Sequence, residues 1–169
     1  AHYLKTDFLT ITESLGADAV SFGGTKNGLL FGEIVLLYNE QAKRKFKYIR
    51  KQNMQLPSKM RFLSAQFEIF LKEPGLWREV AAHGHDVALY LANGLRDVPE
   101  IQVTQKVEAN SVFAKIPKEW VKPLRDKFFF YIWDEIEFEA RLMISFDLTK
   151  KHVDQFLSLI HKIRKDNNN

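Results

Sequence analysis

Hydrophobic residues recur at two different spacings along the chain, and the spacing changes near Pro99. Over residues 39–95 apolar side chains return every three or four positions, which predicts helices. The predicted helices begin at Asn39, Pro57 and Pro74. After Pro99 apolar and polar residues alternate, which predicts half-buried strands over 101–107 and 112–116. The middle of the chain is therefore expected to be helical, and the part after it to contain paired strands.

Helices and strands alternate again toward the end of the sequence. The pattern predicts a short helix over 120–124, strands over 128–133 and 141–146, and a last helix with Phe156 and Ile160 on its apolar face. Strands and helices that share one core in this order are typical of an α+β domain.

The first 38 residues follow a different pattern. A short helix is predicted over 9–15, and the continuous apolar runs 19–22 and 34–38 predict strands in the interior of a sheet that is covered on both faces. Two strands are too few for such a sheet. We therefore interpret 1–38 as the end of a larger α/β domain, 39–56 as a connecting basic helix, and 57–169 as a small α+β domain.

Composition narrows the class of protein. The 169 residues are 46% hydrophobic and 27% charged, which is typical of a soluble globular chain and excludes an intrinsically disordered one. The absence of cysteine excludes disulfides, thiolate metal sites and thiol catalysis. No signal-peptide pattern opens the sequence, and no segment has the pattern of a membrane span, so we expect a cytoplasmic protein without membrane contact.

The segment 21–28, Ser-Phe-Gly-Gly-Thr-Lys-Asn-Gly, is the strongest candidate for chemistry. A phosphate-binding P-loop is excluded, because Thr25 and Val20 stand where that motif needs glycine. Two interpretations of Lys26 remain. At the end of a buried strand its amine would lose water and become a nucleophile for a carbonyl group. Otherwise Lys26 is an exposed lysine in a glycine-rich turn.

Other polar clusters carry weaker signals. His83 and His85 are two positions apart and face different sides of a helix, so no metal site is expected. Six basic residues over 43–51 would suit a nucleic acid, but Phe46 is expected to be buried with the apolar face. We therefore favour a solvated basic face and do not expect nucleic-acid binding.

The run 128–133, Phe-Phe-Phe-Tyr-Ile-Trp, has aromatic side chains on both faces of a strand. The side chains on each face of such a strand need other residues packed against them, either from the strand's own domain or from a partner protein. The alternative to an enzyme is a non-catalytic binding or interaction domain, in which the basic helix would contact a partner such as a nucleic acid.

Several segments resemble the threonine aldolase and aromatic amino acid β-eliminating lyase family, which are fold-type I pyridoxal-phosphate enzymes. The segment around Lys26, ADAVSFGGTKNG, resembles the cofactor-lysine segment of the family. The other similar segments are 32–35, 50–52, 58–63, 65–67, 109–114 and 141–147. Ordered matches cover nearly the whole chain, but they correspond only to the C-terminal half of the family's sequence.

This resemblance implies the end of a fold-type I pyridoxal-phosphate large domain followed by an α+β small C-terminal domain. It implies a lyase that cleaves a β-hydroxy amino acid such as threonine to glycine and an aldehyde. Lys26 would bind pyridoxal phosphate covalently, Arg141 would bind the substrate carboxylate, and Lys51 and Arg61 would lie near the cofactor phosphate. A homodimer or homotetramer is expected. The isolated chain is expected to be inactive or nearly so, because the family's earlier half also contributes to the site.

Overall fold

The computed structural model describes residues 1–72 and 75–167. The chain divides into two compact units, Ala1–Val80 and Ala81–Asn169. Within the described residues, none of the helices is both long enough and apolar enough to cross a membrane.

The first unit opens with a two-stranded antiparallel ribbon. Strand β1 (Ala19–Gly23) pairs with β2 (Glu33–Leu37), with Ser21 opposite Val35. The expectation of strands buried on both faces was wrong, because none of the residues in either strand is buried within this chain. A hairpin of two strands leaves both of its faces without a further sheet layer. The predicted helix over 9–15 is reduced to a single 3₁₀ turn at Glu13–Leu15.

Two α-helices follow the ribbon in the first unit. Helix α1 spans Glu40–Gln52 and α2 spans Met60–Leu71. Asn39 caps α1 as predicted, since its side-chain oxygen accepts hydrogen bonds from the backbone N–H groups of Gln41 and Ala42 at 2.9 and 3.1 Å.

Two expectations about these helices need correction. Phe46 is only half-buried, and α1 buries none of its residues, so the predicted buried face is not formed within the chain. Helix α2 begins three residues after Pro57, and its buried residues are Phe67 and Phe70. The helix start predicted at Pro74 lies outside the described residues.

The second unit contains one antiparallel sheet and the helices that cover it. Helix α3 spans Leu76–Arg96 and crosses the boundary between the units. The elements that follow it are β3 (Gln102–Val103), β4 (Ser111–Lys115), α4 (Lys118–Arg125), β5 (Tyr131–Asp134), β6 (Glu139–Met143) and α5 (Lys150–Asn167). The strand order is β3-β4-β6-β5, so β5 lies at an edge and β6 is interior.

The predicted α+β pattern is present in this unit, although several strands are shorter than predicted. Phe128, Phe129 and Phe130 precede β5 and do not belong to it. One face of the sheet carries the core: Val112 and Ala114 of β4 and Ala140 of β6 are fully buried. Alternate residues of the same strands face away from this core, as the two-residue period of a strand requires.

We expect Leu95→Ala to destabilise the second unit by about 2–5 kcal/mol, because Leu95 is fully buried and its removal leaves a cavity. Chemical denaturation followed by circular dichroism measures this change. Ile136→Ala is the matched control, since Ile136 is 87% exposed and should change the free energy of unfolding by no more than about 0.5 kcal/mol. Equal effects of the two substitutions would contradict the core assignment.

Candidate functional site

Lys26 lies in a short 3₁₀ turn, Thr25–Asn27, directly after β1. Hydrogen bonds close this turn at both ends. The N–H of Gly24 donates to the carbonyl of Gly32 at 2.9 Å, and the side-chain amide of Asn27 donates to the carbonyl of Gly23 at 2.6 Å. The Lys26 side chain is exposed, and none of the ion pairs found within residues 1–72 and 75–167 involves it. A constrained backbone therefore presents an accessible amine.

Gly24 is required in this turn for space and not for an unusual backbone conformation. Its φ and ψ are −91° and −36°, which any residue adopts. A Cβ atom at this position would lie 2.7 Å from Cζ of Phe67 and 2.9 Å from Cδ2 of Leu29. Helix α2 also holds the loop through Gln66, whose side-chain oxygen accepts a hydrogen bond from the Leu30 N–H at 2.8 Å. The turn that carries Lys26 is thus buttressed by α2.

We expect Gly24→Ala to loosen the Lys26 turn, because the added methyl group must displace the buried Phe67 ring. The expected cost is about 1–3 kcal/mol. Hydrogen exchange at the Gly24 and Asn27 amides measures the local opening. The double variant Gly24→Ala/Phe67→Leu should recover part of the protection. A double variant that exchanges as fast as the single one would contradict the steric explanation.

Lys51 and Arg61, the predicted phosphate-binding residues, are both exposed. Lys51 lies in the last turn of α1, and Arg61 lies in the first turn of α2 with its guanidinium 5.0 Å from the centre of the Phe62 ring. Arg50, which is not among the predicted site residues, has an Nε atom that is buried without a hydrogen-bond partner. Only the three-dimensional surroundings of its side chain distinguish Arg50, because in the sequence it is one of six basic residues on the same helix.

Arg141 lies in the interior strand β6. Its Nε atom is buried and has no hydrogen-bond partner. A simple ion pair with Glu139 or Asp147 would be the ordinary structural role, but among the described residues neither carboxylate pairs with Arg141. Glu139 accepts a hydrogen bond from the Thr104 hydroxyl. Asp147 accepts one from the Ser145 hydroxyl at 2.5 Å, which lowers the pKa of that carboxyl.

An unsatisfied buried N–H is costly, by about 1–3 kcal/mol, and such groups are rare in folded proteins. A guanidinium with an unused donor is suited to a carboxylate, which accepts two parallel hydrogen bonds. The Nε donor of Arg141 is therefore left without an acceptor among the described residues.

Trp133 and Phe113 lie beside Arg141 on the face of the sheet that points away from the core. The Trp133 ring centre lies 5.6 Å from the guanidinium carbon of Arg141. Phe113 meets Trp133 edge-to-face, with ring centres 5.7 Å apart. The aromatic run by itself predicts only a surface that needs packing partners on each side. The association of Trp133 with Arg141 requires strand pairing, which one sequence does not display.

Two further features lie in the second unit. His83 and His85 bond through Nε2 to the backbone carbonyls of Leu148 and Val107, at 2.7 and 3.2 Å. A cavity of about 160 Å³ lies in the apolar side of this unit. Its lining includes Leu91, Phe128, Phe130, Leu142, His152 and Phe156.

The chain is similar to known enzymes over most of its length. The low specificity L-threonine aldolase of Pseudomonas sp. (strain NCIMB 10558) is 36% identical over 156 residues, which cover 90% of this chain and 44% of that enzyme. The chain matches the C-terminal part of threonine aldolases. The low specificity L-threonine aldolase of Pseudomonas aeruginosa is 38% identical over 132 residues, which cover 78% of the chain and 38% of that enzyme. The resemblance inferred from the sequence is confirmed.

The fold is similar to that of a solved threonine aldolase. The Leishmania major enzyme matches with a TM-score of 0.78 and 25% sequence identity, over 87% of this chain and 43% of that one. No family model matches the chain. The chain thus spans less than half the length of the threonine aldolases it matches, and it shares their mixed α/β architecture.

Proposed function

We propose that the chain acts as the C-terminal part of a pyridoxal-phosphate-dependent threonine aldolase, which cleaves a β-hydroxy amino acid such as threonine to glycine and an aldehyde. The exposed amine of Lys26, held in a hydrogen-bonded glycine-rich turn, is the observation that carries the proposal. It is supported by similarity to L-threonine aldolases over 90% of the chain.

Pyridoxal phosphate, when bound, supplies an electron-withdrawing ring that accepts the electrons of the breaking Cα–Cβ bond. The donor set of the chain suits this cofactor. Lys26 would hold its carbonyl carbon covalently, since its accessible amine lies in none of the chain's described ion pairs. Lys51 and Arg61 would contact its phosphate, because both are exposed cations on helix termini.

Arg141 would bind the α-carboxylate of the amino acid. The proposal is supported by the buried Nε that lacks an acceptor and by the absence, among the described residues, of an ion pair with Glu139 or Asp147. Two-pronged binding would orient the substrate so that the bond to be cleaved has one defined direction. Substrate orientation is therefore the task that we assign to this residue.

The remaining expectations follow from the same proposal. Residues 1–38 would be the end of a fold-type I large domain, 39–56 a connecting helix and 57–169 the small α+β domain. The enzyme would be a cytoplasmic homodimer or homotetramer, and the isolated 169-residue chain would show little or no turnover. Full turnover by the isolated chain would contradict this assignment of the chain to one part of the enzyme.

Reductive trapping tests the proposal. The chain and the full-length protein are each incubated with pyridoxal phosphate, reduced with borohydride, digested and analysed by mass spectrometry. We expect a pyridoxyl label concentrated on Lys26, with Lys45, an exposed lysine of α1, as the internal comparison. Labelling of the full-length protein that is spread evenly over exposed lysines would overturn the cofactor assignment and favour a non-catalytic interaction domain.

A further inference from the structure

We propose that Trp133 is a positioning residue that orients the guanidinium of Arg141 for carboxylate binding. The inference rests on the proposed function of Arg141 and adds a residue that acts through it. Trp133 does not contact the substrate in this proposal. Its indole ring supplies the surface on which the guanidinium lies.

Strand pairing brings the residues together. Arg141 lies in β6 directly between Phe113 of β4 and Tyr131 of β5. The pairing of β5 with β6 is irregular at Trp133, because Ile132 pairs with Ala140 while Asp134 pairs with Glu139. Two steps along β5 thus match one step along β6, so Trp133 is the extra residue of a bulge. A bulge changes the direction of the side chain that it carries.

The redirected indole covers the Arg141 side chain. Phe113 and Trp133 belong to strands on opposite sides of β6, yet their ring centres are 5.7 Å apart at an interplanar angle of 82°. The two rings therefore meet over the strand that carries Arg141. The Nε atom of Arg141 is buried although the residue as a whole is only half-buried.

Stacking is the contact that holds the guanidinium in this structure. The Nε atom has no hydrogen-bond acceptor, and none of the ion pairs within the described residues includes Arg141. The Trp133 ring lies 5.6 Å from the guanidinium carbon, which is within the range of a cation–π interaction. An arginine that stacks on an indole loses side-chain freedom and keeps its donor edge available for an anion.

The bulge itself is held by the turn that follows it. One carboxylate oxygen of Asp134 accepts hydrogen bonds from the backbone N–H groups of Ile136 and Glu137, at 2.8 and 3.0 Å. These bonds lower the pKa of Asp134, so its carboxylate keeps this role at neutral pH. Glu137 in turn pairs with Lys115 of β4 at 2.5 Å. The backbone that aims Trp133 is therefore fixed independently of Arg141.

Steady-state kinetics of the full-length protein with pyridoxal phosphate tests the proposal. Trp133→Leu should raise the KM for the amino acid about fivefold and leave kcat within about twofold. A fivefold change in KM corresponds to the free energy of an exposed cation–π contact. Trp133→Phe keeps an aromatic surface and should stay within about twofold of the parent KM. Phe129→Leu is the matched control, since it removes an exposed ring (76%) that contacts Tyr131 and not Arg141.

Arg141→Lys separates failure of this proposal from failure of the proposed function. If Arg141→Lys leaves the amino acid KM unchanged, Arg141 does not bind the carboxylate, and the proposed substrate site fails. If Arg141→Lys raises the KM but Trp133→Leu matches the Phe129→Leu control, positioning by Trp133 is overturned. A fall in thermal stability of Trp133→Leu together with lost kcat would also overturn it, because that pattern indicates a structural role.

Fluorescence quenching of the isolated chain tests the geometry without activity. Trp133 is 61% exposed, whereas the other two tryptophans, Trp77 and Trp120, are 7% and 3% exposed. Iodide should quench Trp133 more strongly when a guanidinium lies beside it. We expect Arg141→Met to reduce quenching by iodide and to leave quenching by neutral acrylamide unchanged. Unchanged iodide quenching would overturn the arrangement.

Discussion

Lys26→Ala should abolish cofactor attachment and lower amino acid cleavage by the full-length protein at least about a thousandfold. Alanine has no amine with which to hold the carbonyl group of pyridoxal phosphate. The substitution should leave the fold intact, because the Lys26 side chain is exposed and the turn is closed by bonds of Gly24 and Asn27. Absorbance of the bound cofactor and initial rates of glycine formation measure the two effects.

Lys45→Ala provides the control for this experiment. Lys45 is another exposed lysine of the same unit, and its replacement should change neither the cofactor absorbance nor the rate. Near-wild-type absorbance and turnover in Lys26→Ala would exclude Lys26 as the cofactor lysine. Circular dichroism of both variants distinguishes loss of the amine from loss of the fold.

Arg141→Lys should weaken amino acid binding by about tenfold to a hundredfold and leave the affinity for pyridoxal phosphate within about threefold. Lysine keeps the positive charge, but it lacks the planar pair of donors that binds a carboxylate with two parallel bonds. The amino acid KM and a cofactor titration, measured on the same preparation of the full-length protein, give the two numbers.

The role of Arg141 is decided by the ratio of the loss in amino acid affinity to the loss in pyridoxal phosphate affinity. Equal losses of substrate and cofactor affinity would mean that Arg141 supports the fold and does not bind the carboxylate. Met143→Lys is a useful comparison. Met143 lies two residues after Arg141 in β6 and is 45% exposed, so the substitution places a lysine on the same face of the sheet. Its effect on KM should be small if the two-pronged donor is what matters.

Local sequence chemistry predicted several elements because the interactions that form them span only a few residues. The Asn39 cap joins a side chain to N–H groups two and three positions away, so the start of α1 is readable from the sequence. The helix predicted at 120–124 lies within α4, with Trp120 and Leu124 buried on one face as their spacing indicates. Similarity to threonine aldolases was likewise readable, and it is confirmed.

Long-range pairing was not readable in the same way. The apolar runs 19–22 and 34–38 suit a strand covered on both faces, and the same composition suits a hairpin in which no strand residue is buried within the chain. The periodicity of a run specifies which side chains share a face, but it does not specify what lies against that face. The expectation of strands buried on both faces failed for this reason.

By itself, the sequence determined the mixed helix and strand content, the glycine-rich turn that presents Lys26, and the relation to threonine aldolases. Tertiary structure alone decided that Phe67 fills the space that Gly24 leaves free, and that Trp133 lies against Arg141. The physical reason is the distance along the chain. These contacts join residues on different elements, and they depend on helix packing and on a one-residue bulge in strand register, which no local pattern encodes.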